Sequence, residues 1–214
     1  MTFSAILGPL AAEFGLPLTG EQLDAFAAYN ALLLEWNQKM NLTAITDPRE
    51  IAVKHMIDSL SCYEQEYFPA NCSLIDIGTG AGFPGIPLKI FRPDIELTLL
   101  DSLNKRLLFL QAVVDALALR NVRIVHQRAE EAGKSQEHRE KYQIAVSRAV
   151  ARLNILAEFC LPTVAVGGCF IALKGSQYRQ ETDEALPAVK ILGGSVARIK
   201  PVRLPQLSDV RAVI

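Results

Sequence analysis

This chain lacks a basic excess, paired cysteines and any unbroken membrane-length apolar run. Four cysteines (Cys62, Cys72, Cys160, Cys169) form no C-x-x-C pair, and only three histidines accompany them. That leaves too little for a zinc site or a disulfide framework, so reduced thiols in a cytoplasmic protein and no metal are expected. A net charge of −1 excludes a bulk polycation. The start, MTFSAILGPLAAEFG, has no basic segment before its apolar residues, and Glu13 interrupts them, so no signal peptide is expected. The most membrane-like stretch, Asn154 to Leu173, carries one charge, Glu158, but Pro162 and Gly167-Gly168 divide it into a helix-length and a strand-length piece. No membrane partner is expected. Repeats and low-complexity segments are absent too.

What is present suits one folded unit: 214 residues, half of them hydrophobic, enough for a sizeable core. Charge is uneven, however. Residues 1–70 hold three Lys/Arg against nine Asp/Glu, while residues 71–214 hold nineteen against fourteen. Ordinary surface scatter explains this as well as an acidic cap on a phosphate-tolerant body does.

The first seventy residues read as a helical extension. Thr19 with Gln22 makes a capping box, and Leu23, Phe26, Leu33 and Met40 follow at helical spacing. Asp47, Pro48 and Glu50 predict a second helix start with a second box. From residue 71 strands and helices alternate: SLIDIG, PGIPLKIF, IELTLLDS, NKRLLFLQAVVDALALR, NVRIVHQ, YQIAVSRA, a helix from Arg152, then GGCFIALKG. Apolar strands separated by helices predict an α/β fold with a mostly parallel sheet covered on both faces. The last two strand candidates, in SVARIKPVRLP and DVRAVI, leave no room for a helix between them and predict an antiparallel edge.

The chemistry concentrates in LIDIGTGAGFPGIPLKI. Gly78, Gly80, Gly82 and Gly85 lie between or just after a strand end and a helix start, whereas a plain chain reversal needs only one glycine. Such turns border the ligand crevice of open α/β sheets. GAGFPG formally matches G-x-G-x-x-G, a weak signal for a dinucleotide. Asp76, two residues before the first glycine, argues instead for a cationic methyl donor, S-adenosylmethionine, either by touching its methionine moiety or by bracing the loop. Asp101 ends the next strand, where a carboxylate can accept from ribose hydroxyls or cap the following helix.

These residues, with EWNQKMNLTAI, HMIDSL, LLDSLNKRLLFL, HQRAEE, AVSRAV and LKG in the same order, resemble the bacterial small-subunit ribosomal RNA methyltransferase G family, also called glucose-inhibited division protein B. The resemblance implies a Rossmann-like class I methyltransferase with a seven-stranded sheet, acting on N7 of a guanine in the decoding-region loop of 16S rRNA. It also implies cofactor contacts at Gly78, Phe83, Ala129, Glu130 and Arg148. Family members usually continue past the last strand into a basic segment rich in Pro, Gly and Lys, whereas this sequence ends at RAVI.

Guanine N7 bears an exposed lone pair, so methyl transfer to it needs orientation and no general base. The sequence offers no Pro-Cys pair for attack on cytosine and no N-P-P-Y stretch for an exocyclic amine. Guanine-positioning candidates are Arg148, Lys174, His55 with Asp58, and Asn41. A packing role for His55 and a turn-bracing role for Asn41 are the more ordinary readings. Arg120, Arg123, Arg198, Lys200 and Arg203 are candidate phosphate contacts, or plain surface charges. The expected partner is 16S rRNA in a 30S particle or an assembly intermediate, met by a monomer. The alternatives are an NAD(P)-dependent oxidoreductase and a non-catalytic RNA or ribosome-assembly module.

Overall fold

The computed structural model describes all 214 residues, Met1–Ile214. Helices fill the N-terminal third because their ends are capped and their apolar faces meet one core. Thr2 caps α1 (Phe3–Glu13) by accepting from the Ala5 N–H. The capping box at Thr19 forms as expected: its hydroxyl accepts from the Gln22 N–H, and Gln22 Oε1 accepts from the Thr19 N–H, opening α2 (Gly20–Met40). Asp47 accepts from the Arg49 and Glu50 N–H groups and opens α3 (Pro48–Ile51). The second box does not close, because Lys54 one turn ahead draws the Glu50 carboxylate away. A π-helical stretch (Ala52–Ile57) and α4 (Asp58–Leu60) continue that helix.

The remainder runs β1 (Ser73–Ile77), α5 (Gly85–Phe91), β2 (Glu96–Asp101), α6 (Asn104–Ala116), β3 (Val122–His126), α7 (Ala129–Ala132), β4 (Tyr142–Arg148), α8 (Leu153–Cys160), β5 (Val164–Lys174), α9 (Tyr178–Ile191), β6 (Lys200–Arg203) and β7 (Val210–Val213). The sheet order is β3-β2-β1-β4-β5-β7-β6, with β1 to β5 parallel and the last two strands antiparallel. The expected antiparallel edge is therefore present. Helix α9 was not anticipated: its buried positions, Tyr178, Thr182 and Ala185, include a polar one, and Pro187 lies inside it. Short α7 likewise lies in a stretch that reads as a charged loop.

Side chains alternate between the two faces, as strand geometry requires. Leu74, Leu97, Leu99, Ile144, Val146 and Ile171 join one core cluster with Leu7, Phe26, Tyr29 and Leu33 of the N-terminal helices and with Phe109 of α6. Ile75, Ile77, Leu100 and Ala145 face the other way, toward Ala132 and Cys160. Helices thus cover both faces, and the N-terminal helices share the larger core with the sheet. The membrane-like stretch resolves into α8, a 3-10 turn (Leu161–Thr163) and β5. No helix is long and apolar enough to cross a membrane. All four cysteines are free thiols.

Candidate functional site

The sheet order reverses between β1 and β4, and a cavity of about 500 Å³ opens beyond the C-terminal ends of β1 to β4. Ligands of open α/β sheets bind at such a switch point, in pockets of this size. Gly78 to Ala81 and Phe83 line it from the glycine turn, Asp101 and Ser102 from the end of β2, Gln127 to Glu130 from the end of β3, and Arg148 to Val150 from the end of β4. Leu42, Thr43 and His55 contribute the N-terminal helical side.

The turn is braced from within. The Gly78 and Thr79 N–H groups both donate to the Leu100 carbonyl, and the Gly80 N–H donates to Asp101 Oδ2 at 2.9 Å. The Tyr29 hydroxyl, from α2, donates to the Ala81 carbonyl. Gly80 holds φ +61, and a Cβ there would meet only the Gly78 carbonyl oxygen at 4.0 Å, so a ligand can approach its backbone. Gly85 answers a different need: a Cβ there would lie 2.8 Å from both Asp76 Oδ2 and Leu99 Cδ2. Gly82 packs against Tyr29 and Ile86 and does not line the cavity.

Asp76 does not reach the cavity. One residue before the end of β1, its side chain points to the face covered by α2 and α5 and is fully buried. Its Oδ2 accepts from the Thr79 hydroxyl at 2.7 Å and the Gly85 N–H at 2.8 Å, while Oδ1 has no partner. Of the two roles open in the sequence, the structure supplies the brace. Burial pushes its pKa up to about 7, against the opposing pull of those two hydrogen bonds. Asp101 lines the cavity, yet its carboxylate already accepts from the Gly80 and Leu103 N–H groups and from Arg106. It braces the turn and caps α6, with acceptor capacity left for one further donor.

At the far end of the glycine turn, Phe83 packs against two adjacent side chains. The His55 ring stacks on it at 4.6 Å between centroids, and the Arg148 guanidinium lies 4.8 Å from its centre. Arg148 Nη1 donates to Asp58 Oδ2 at 2.8 Å and to the Lys54 carbonyl at 3.0 Å, while Arg211 of β7 pairs with the other Asp58 oxygen at 3.3 Å. His55 Nε2 lies 2.8 Å from the Thr43 hydroxyl. Burial first, and then the Arg148 charge, lower the His55 pKa to about 4, so the ring is neutral near pH 7.

Other candidates stand elsewhere. Lys174 does not line the cavity: it is buried, pairs with Glu181 and donates to the Ala151 carbonyl, because it lies at the strand end beside α9. Asn41 is the exposed, left-handed C-cap of α2. Arg123 pairs with Glu137, and Arg198 and Lys200 pair with Glu64, so neighbouring acids already engage those three cations. Thr43, Arg106, Arg128 and Val150 line the cavity without having been singled out. Thr43 and Arg128 adjoin quoted candidates, but no spacing rule marks them.

The cavity fits an adenosine-bearing methyl donor. The Gly78 and Gly80 carbonyls accept none of the turn's hydrogen bonds and so remain open to an ammonium group, with Asp101 and the Ala129-Glu130 segment further along the same cleft. A pyrophosphate fits poorly. The N–H groups of Gly78, Thr79, Gly80, Gly82 and Phe83 are taken, and the start of α5, where a dinucleotide fold receives its phosphates, is filled by the Asp76 carboxylate.

Fold and cavity together define a class I methyltransferase. The solved structures agree on the fold: an S-adenosylmethionine-dependent methyltransferase from Aquifex aeolicus matches with a TM-score of 0.58 at 15% identity, over 81% of this chain and 95% of its own. M. jannaschii TYW2 in complex with AdoMet matches at 0.52 and 12%, over 67% of each chain. The family profile for GidB, rRNA small subunit methyltransferase G, matches residues 22–208, and this chain belongs to that family. The ribosomal RNA small subunit methyltransferase G of Desulforamulus reducens is 50% identical, over 95% of this chain and 85% of its own. That of Alkaliphilus metalliredigens is 52% identical, over 92% and 82%.

Proposed function

We propose that this methyltransferase transfers the methyl group of S-adenosylmethionine to N7 of a guanine in the decoding-region loop of 16S rRNA. It acts as a cytoplasmic monomer on a 30S particle or an assembly intermediate. The observation that carries this reading is the wall where Phe83 meets Arg148 and His55. Arg148, Phe83 and neutral His55 offer an aromatic surface and hydrogen-bond donors, and His55, its pKa lowered to about 4, is a weak base.

That wall suits N7, whose lone pair attacks without first losing a proton. The bound donor supplies an electrophilic methyl on a sulfonium. The chain's part is alignment, and holding both reactants in line contributes roughly 7–11 kcal/mol of barrier reduction. Asp58 fixes Arg148 through Nη1, leaving Nη2 with only a 3.5 Å approach to His55 Nδ1. That free edge is suited to the guanine O6, an acceptor where adenine presents a donor. Asp76, Gly78, Gly80, Gly82 and Asp101 build or brace the cofactor side, with Ala129 and Glu130 at the adenine end.

The test is methyl transfer from labelled S-adenosylmethionine to 30S subunits, naked 16S rRNA and tRNA, with the modified base identified after digestion. Label is expected as 7-methylguanine in 16S rRNA. Label confined to tRNA, or located on another base, would overturn the assignment.

A further inference from the structure

Between β4 and α8 the chain crosses the cavity rim as Ala149 to Arg152. Ala149 adopts φ +57, and Val150, 41% exposed, stands so close over Gly78 that a Cβ on that glycine would lie 2.5 Å from Val150 Cγ2. An exposed apolar side chain is thereby fixed directly above the glycine turn.

What fixes it is a buried ion pair. Lys174 Nζ donates to the Ala151 carbonyl at 2.9 Å and lies 2.6 Å from Glu181 Oε2. The same Glu181 oxygen accepts from the Leu153 N–H at 3.1 Å. The two side chains are 7% and 14% exposed. Such a pair adds little to stability that packed apolar side chains of similar volume would not. It does give what apolar groups cannot: one directional bond to each side of Arg152, which together set the path of the rim segment. Arg152 itself pairs outward with Glu184.

We infer that Lys174 and Glu181 are positioning residues that hold Val150 as the apolar wall against which the acceptor guanine packs during methyl transfer. This rests on the cavity being the place where guanine meets the donor. The glycine turn has its own bonds to Leu100, Asp101 and Tyr29. Loosening the rim therefore acts on the acceptor and leaves the donor's cradle standing.

Two variants test this. Lys174→Met/Glu181→Leu replaces the pair with apolar side chains, and Val150→Ala removes the wall while leaving the pair. Each is assayed for kcat and KM toward the rRNA substrate, for S-adenosylhomocysteine affinity by calorimetry and for thermal stability. Misplacement by about 1 Å can lower a rate about a hundredfold. The expected result is a fall in rRNA kcat/KM of about tenfold to a hundredfold in both variants, with cofactor affinity within about threefold of wild type. Val150→Ala, altered at a surface position, should keep the wild-type melting temperature and so shows the effect even if the double variant folds poorly. Wild-type kinetics in Val150→Ala, or equal losses of rRNA turnover and cofactor affinity, would overturn the proposal. Absence of any label in rRNA with the wild-type enzyme would instead overturn the acceptor assignment, and the proposal with it.

Discussion

The buried Asp76 carboxyl makes the pH dependence of stability a direct probe of how the glycine turn is held. Burial raises its pKa from 3.8 to about 7. The native state therefore keeps a proton through an interval in which the unfolded chain has released it. The stabilisation this gives is full below about pH 4 and is lost as pH rises through about 7. One pKa unit corresponds to about 1.4 kcal/mol, so an interval of about three units amounts to about 4 kcal/mol. His55 works in the opposite sense. Its pKa falls from 6.5 to about 4, so its contribution is present above about pH 6.5 and is lost as pH drops toward 4, by about 3 kcal/mol. The two slopes nearly cancel between about pH 4 and 6.5, and Asp76 shows alone only above that. Asp76→Asn removes the titration while keeping a carbonyl oxygen for the Thr79 hydroxyl and the Gly85 N–H. Urea unfolding can be followed by the fluorescence of Trp36, the single tryptophan, which packs on Phe109. Measured from about pH 4 to about pH 8, the stability difference between variant and wild type should swing by about 4 kcal/mol in favour of the variant. The His55 contribution drops out of that difference. A difference that stays constant with pH would refute the account of an uncompensated buried carboxyl.

Two further substitutions probe the walls. Gly78→Arg forces a side chain onto a residue with φ +70, into the space filled by Val150, and should abolish S-adenosylhomocysteine binding by calorimetry while leaving a soluble protein. Unchanged affinity would show that the cofactor lies elsewhere. Asp58→Ala strips a buried partner from Arg148 and should lower stability by about 3–5 kcal/mol in urea titration, because the guanidinium is left without its carboxylate. A loss below about 1 kcal/mol, the scale of an exposed pair, would show that Arg148 does not depend on it.

The sequence revealed the strands and the glycine turn because these depend on local rules: two-residue alternation, caps, and glycine where no side chain fits. The Thr19–Gln22 box and the antiparallel last strands are of this kind. It could not reveal where a side chain points once the sheet is assembled. Lys174 reads as a crevice residue from its place at a strand end, yet α9 meets it there with Glu181, and α9 itself is polar in composition with Pro187 inside it. Thr43 and Arg211 reach the site through contacts 12 and more residues away, to His55 and Asp58 respectively, and no short motif encodes such pairings. The same limit hid the role of Val150, whose neighbour Gly78 lies on another strand's loop.

Asp76 shows how a motif can point to the right ligand through a different physical route. From sequence its charge selects a cationic donor either by touching it or by bracing the loop. In the fold it is buried, its pKa is near 7, and it faces away from the cavity. Its discrimination is steric and local. By accepting from the Gly85 N–H it fills the helix start that would otherwise receive a phosphate, and it holds Thr79 in a turn whose Gly78 and Gly80 carbonyls remain unpaired. Backbone carbonyls favour a donor group such as an ammonium and repel an anion, so the cradle prefers a zwitterionic amino acid end without placing a full negative charge beside the sulfonium. This explains how an aspartate in this position can mark a methyltransferase without contacting the methyl donor.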